Sequence, residues 1–62
     1  MDRFREAIDE AYGDAVKDVW RVFFDALSIA GNDGERTKAY ERFVRALAVA
    51  QQAHEIALQA IV

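Results

Sequence analysis

Phe4, Ile8, Tyr12, Val16, Val19, Phe23, Leu27 and Ala30 follow one another at steps of four and three, and at 100° per residue they share one broad face. That spacing predicts a first helix over about residues 2–30. Gly13 falls inside it, yet the apolar phase continues across the glycine without a slip. One helix carrying a penalty of about 1 kcal/mol therefore accounts for the segment better than two. The alternative is a break at Gly13-Asp14 with Asp14 as the cap of a second piece. After Gly31-Asn32-Asp33-Gly34, the residues Tyr40, Phe43, Leu47, Ala50, His54, Ala57 and Ile61 again step by three and four. This is the 3.5-residue period that keeps a seam turned toward a partner helix. A second helix is expected over about 34–62.

The connection at 31–34 holds two of the three glycines, and the chain contains no proline. Gly31 is expected to close the first helix in a left-handed conformation, with Asn32 or Asp33 accepting from the free N–H groups that open the second. Beside the second seam runs a row of alanines, Ala39, Ala46, Ala53 and Ala60, spaced by seven. With Ala50 and Ala57 it strips one flank of bulk, so another backbone is expected to come close there.

The fold class is all-α: a helical hairpin of two long antiparallel helices, with the 62 residues forming a single domain. Each helix is about 42 Å long at 1.5 Å per residue, and its apolar face is too wide for one neighbour to cover. Two hairpins pairing as a homodimeric four-helix bundle would close the surface. Size points the same way. A chain of 62 residues seldom draws more than about 3 to 5 kcal/mol from a core of its own. It also has no cysteine for a disulfide or a thiolate metal site. The oligomer interface is expected to use Phe4, Ile8, Tyr12, Val16, Val19, Phe23 and Leu27 from helix 1. From helix 2 it takes Tyr40, Phe43, Ala46, Leu47, Ala50, Ala53, His54, Ala57 and Ile61.

The formal charge is -3, and its distribution is uneven. Helix 1 carries seven acids against four bases, while helix 2 carries Arg36, Lys38, Arg42 and Arg45 against Glu35, Glu41 and Glu55. Bases at the start of helix 2 oppose its dipole. A dimer with its turns at opposite ends would give them a role, by setting the acidic start of one helix 1 beside the basic start of the partner's helix 2. Solvated local pairs such as Glu41 with Arg45 are the plain alternative.

Catalysis has little to work with. His54 is the only histidine, and at a seam position it fits a register-setting or satisfied polar residue, ahead of a pH switch or a ligand. Gln51, three residues before it, breaks the Glu-x-x-His pattern of bundle metal sites, so no metal and no cofactor is expected. Ser28 and Thr37 flank the turn, far from His54, and the paired carboxylates Glu6 with Glu10 and Asp14 with Asp18 face solvent. The glycines of the turn lack the spacing of a phosphate loop. An enzyme is not expected.

Two surfaces remain for partners. Trp20 and Phe24, on the margin of helix 1's apolar face, either complete the dimer or anchor another protein. Lys38, Arg42 and Arg45 form a small basic stripe, continued by Val49 and Ile56. The architecture is similar to that of helical-hairpin dimers that bind RNA loops, and that likeness implies an RNA-binding alternative through this stripe. The acidic balance and the absence of interleaved aromatics place nucleic acid second. The leading expectation is a small non-enzymatic interaction protein, a homo-oligomeric adaptor, regulator or assembly subunit. No apolar run reaches the roughly 20 residues of a bilayer span, and the acidic, arginine-containing start is not a secretory signal. A cytoplasmic location is expected. Twelve alanines, and arginine over lysine by six to two, suit a bacterial or phage gene.

Overall fold

A computed structural model describes residues 3–61. Two helices account for it, α1 over Arg3–Ile29 and α2 over Asp33–Ala60, packed against each other as an antiparallel hairpin. α1 runs unbroken through Gly13, where an added Cβ would meet nothing within 4 Å. The glycine there accommodates no neighbour, and its cost is simply absorbed by a helix of 27 residues.

The turn is shorter than the four residues its glycines mark. α1 ends with the Ala30 N–H donating to the Leu27 carbonyl at 3.3 Å. Gly31 does not take the left-handed conformation expected of it, for no described residue has a positive φ. The reversal is made by Asn32 in an extended conformation (φ -158°, ψ 173°). Its side-chain oxygen caps α2 by accepting from the Glu35 N–H at 2.9 Å. Glu35 reaches back in turn, accepting from Asn32 Nδ2 at 3.2 Å and from the Gly31 N–H at 3.4 Å. This reciprocal arrangement satisfies an N–H that opens α2 and takes up the Gly31 N–H, which a left-handed closing residue would instead donate back to a carbonyl of α1. Gly34 is small for a local reason: a Cβ there would lie 3.2 Å from the capping Asn32 oxygen. Arg36 pairs with Asp33 on the first turn of α2.

Ring contacts set the register between the helices. Phe23 stacks on Phe43 with centroids 4.3 Å apart, and Tyr12 lies against His54 at 4.6 Å. Each residue gained along α1 is thus matched by one lost along α2. Between these pairs the helices meet through Val16 and Val19 on one side and Ala46, Leu47 and Ala50 on the other, and beyond Phe23 through Ala26, all partly buried. Ala39 is the only buried residue among those described, at 6% exposure. Much of the alanine flank is therefore consumed inside the hairpin, where a short side chain lets α1 approach. Tyr40, expected in the seam, stands to one side and is exposed, because Ala39 fills the space between the helices at that level.

The result is a rod of 48 × 15 × 8 Å with a radius of gyration of 14.6 Å. A compact domain of this length would have a radius near 10.6 Å. A single layer of two helices cannot enclose a core, and the long faces of the rod remain open.

Candidate functional site

The hairpin presents two long faces, one on either side of the plane of its helices. Helical spacing assigns residues to each. On the first, four adjoining concavities run the length of the rod. The one nearest the chain ends is lined by Ile8, Ala11, Ala15, Ala50, Ala53 and Ala57, with Tyr12 and His54 at its inner edge. The central ones are lined by Val19, Val22, Ala46, Val49 and Ala50, with Arg42 shared between them. The last reaches Ile29, Glu35 and Lys38 beside the turn. Val22 and Val49 are 69% and 58% exposed here. This is a groove lined largely by small side chains, with the seam rings of Tyr12, Phe23, Phe43 and His54 at its inner edge. Its α1 rim carries Asp18 and Asp25, and its α2 rim carries Lys38, Arg42 and Arg45. Asp18 holds Arg21 at 3.0 Å in an exposed pair, whereas Asp25, Lys38, Arg42 and Arg45 make no ion pair among the described residues.

The opposite face is divided. Near the turn it carries Trp20, Phe24, Leu27, Tyr40 and Val44, all exposed, with Trp20 at 54% and Phe24 at 56%. Trp20 lies 6.1 Å from Phe24 and 6.0 Å from Phe23, centroid to centroid, so these rings brace one another along α1, and Phe23 alone of the three stacks across on Phe43 of α2. Toward the chain ends the same face turns polar with Asp9 and Gln51, and His54 sits in the seam between the two faces.

His54 Nε2 lies 2.7 Å from Asp9 Oδ1, and its side chain is 22% exposed. The seam histidine is thus satisfied by a carboxylate of its own chain, with Tyr12 packed on its ring. The spacing of α1 alone did not single out Asp9, because its partner lies on the other helix. Among the described residues no three His, Asp or Glu side chains come close enough to hold a metal ion. Ser28 is engaged in its own helix, donating from Oγ to the Phe24 carbonyl at 2.9 Å. Among the described residues no helix is long and apolar enough to cross a membrane.

Of the residues expected at an interface, Ile8, Tyr12, Val16, Val19, Phe23, Phe43, Ala46, Leu47, Ala50, His54, Ala57 and Ile61 are partly covered within the hairpin. Phe4, Leu27, Tyr40 and Ala53 are exposed. The groove-lining Ala11, Ala15, Val22 and Ala26 were not singled out by the first seam. The first three belong to a second series on α1, Phe4, Ile8, Ala11, Ala15, Asp18, Val22, whose alternating steps of four and three are legible once a second partner direction is considered, and Ala26 follows Val22 one turn on. Comparison with protein-family models, with curated proteins and with solved structures finds no match for this chain.

Proposed function

We propose that this chain is a small non-enzymatic interaction protein whose hairpin pairs with a second copy as a four-helix bundle and acts through the surface that remains. The observation that carries this reading is how much the lone hairpin leaves uncovered. Its accessible surface is 5187 Å², against about 4,000 Å² for a compact monomer of the same mass. The excess of roughly 1,100 Å² exceeds the ~800 Å² that each partner contributes to a standard protein interface. Pairing would remove it and supply the apolar burial that two helices lack, at about 25 cal/mol per Å² before association costs.

A bundle of two hairpins has room to cover one long face of each. The exposed Trp20 and Phe24 then serve as anchors for a further protein, since large aromatics carry a disproportionate share of interface energy. Function in this reading is adaptor-like or regulatory, and the chemistry is burial and charge matching.

Thermal unfolding followed at several protein concentrations tests the reading. A self-associated fold gives a midpoint that rises with concentration, whereas a midpoint independent of concentration across a hundredfold range contradicts it. A second reading has one observation in its favour, the three bases Lys38, Arg42 and Arg45 without an ion-pair partner among the described residues. Salt-dependent binding of mixed RNA, lost on R42E/R45E substitution, would support it, and no binding at low salt would remove it.

A further inference from the structure

We infer that the second copy sits on the alanine-floored groove, with both turns at the same end, so that α1 of each chain lies on α2 of the other. This rests on the pairing proposed above and specifies its face and direction.

The sequence of α2 contains two seams of period 3.5. The first, through Phe43, Leu47, Ala50, His54 and Ala57, meets α1 of the same chain. The second, Arg42, Ala46, Val49, Ala53, Ile56 and Ala60, steps by four and three without exception, and apart from Ala46, which is partly buried against α1, its residues are exposed. A strict repeat on a flank that the hairpin leaves open is the signature of another helix lying there. α1 supplies the matching flank in its own second series. Both border the groove, whose alanines permit an interaxial distance at the short end of the usual 8 to 10 Å.

Charge chooses the direction. A two-fold axis parallel to the rod keeps every residue at its own level and places each α1 across from the partner's α2. Asp18 and Asp25 of one chain then flank Arg42 and Arg45 of the other, and Val22 meets the aliphatic stem of Arg42. Ala15 comes within two residues of the level of Val49, about 3 Å, as do Ala11 with Ala53 and Phe4 with Ala60, so a small residue faces a larger one or another small one throughout. The alternative, with turns at opposite ends, lays α1 on α1. That brings together two helices with an excess of acids and leaves Arg42 and Arg45 without carboxylates. It is the arrangement that charge totals alone favoured, and the position of the bases on the groove rim reverses it. Like-charge contact across an interface is unfavourable, and matched rims set register and orientation.

Two measurements test the proposal. The chain has no cysteine, and Gly31 accepts a side chain, with an added Cβ only in ordinary contact with Glu35 Oε1 at 3.9 Å. A spin label on Gly31→Cys therefore reports the distance between the two turns. Turns at the same end give roughly 10 to 30 Å, the interaxial spacing plus two label arms. A distance near the 48 Å length of the rod overturns the orientation. Separately, V22D/V49D places charge in the groove at two exposed positions, and the expected result is a dissociation constant raised at least about thirtyfold. The double substitution W20A/F24A on the other face leaves it within about threefold of the parent. The reverse pattern shifts pairing to the aromatic face and overturns the assignment. A parent chain that stays monomeric at every concentration instead rejects the pairing on which the proposal rests.

Discussion

The two long faces of the hairpin are apolar in different ways. One is shallow and runs from the chain ends to the turn, lined largely by alanine and valine with the seam rings of Tyr12, His54, Phe23 and Phe43 at its inner edge, and helical spacing puts acids along one rim and bases along the other. The other is bulky and confined to half its length, where Trp20, Phe24, Leu27 and Tyr40 stand out, and it becomes polar at Asp9, which pairs with the seam His54. A groove of small residues suits a helix laid along it, because backbones can approach and dispersion contacts accumulate over the whole length. A short patch of large rings suits local anchoring in a pocket. The exposed apolar area is comparable in kind, but its distribution decides what each face can receive.

The largest expected effect comes from filling the space that makes the hairpin possible. Ala39→Leu forces four-carbon bulk between helices at the one buried position and is expected to destabilise the fold by about 1 to 3 kcal/mol in urea unfolding. Ala48→Leu, at an exposed position on the outer side of α2, stays within about 0.5 kcal/mol of the parent. Equal effects at both sites would remove the distinction between inner flank and outer side.

Gly13→Ala sharpens the contrast between faces. Nothing lies within 4 Å of an added Cβ, so the substitution is expected to stabilise α1 by up to about 1 kcal/mol. Loss of stability with weakened self-association would mean that a copy covers Gly13, and therefore that the aromatic side is the paired one.

The smallest effect is expected from Asp9→Asn, which removes the charged partner of His54 while keeping an acceptor oxygen. With Asp9 more than half exposed, solvent screens the pair, and the change in stability stays below about 1 kcal/mol. A larger loss would mean that the polar end of this face is shielded in the assembled protein.

Helix content, the two-helix hairpin and the position of the turn were legible because apolar spacing is a property of single helices. What helical spacing could not supply was contact between them. The partner of His54 lies 45 residues away, and only the register fixed by the Phe23 and Phe43 stack brings Asp9 to it. The turn departs from expectation at Gly31 because a glycine after a helix usually closes it by donating back to the helix, whereas here the Gly31 N–H goes forward to Glu35 and Asn32 caps α2. The alanine row was visible as a close-approach surface, but whether α1 or a second chain occupies it depends on the direction from which α1 docks. Ala39, Ala46, Ala50 and Ala57 turned out to serve the hairpin, while Ala53 and Ala60 stay exposed.

The central claim, that this hairpin is half of a self-paired bundle, is tested most directly by light scattering behind size exclusion over a hundredfold range of concentration. The account predicts a mass of about twice the 7.0 kDa of the chain, persisting on dilution until the dissociation constant is reached. A folded, helical species of 7.0 kDa at every concentration would contradict it, and the groove would then be a surface awaiting a different helix.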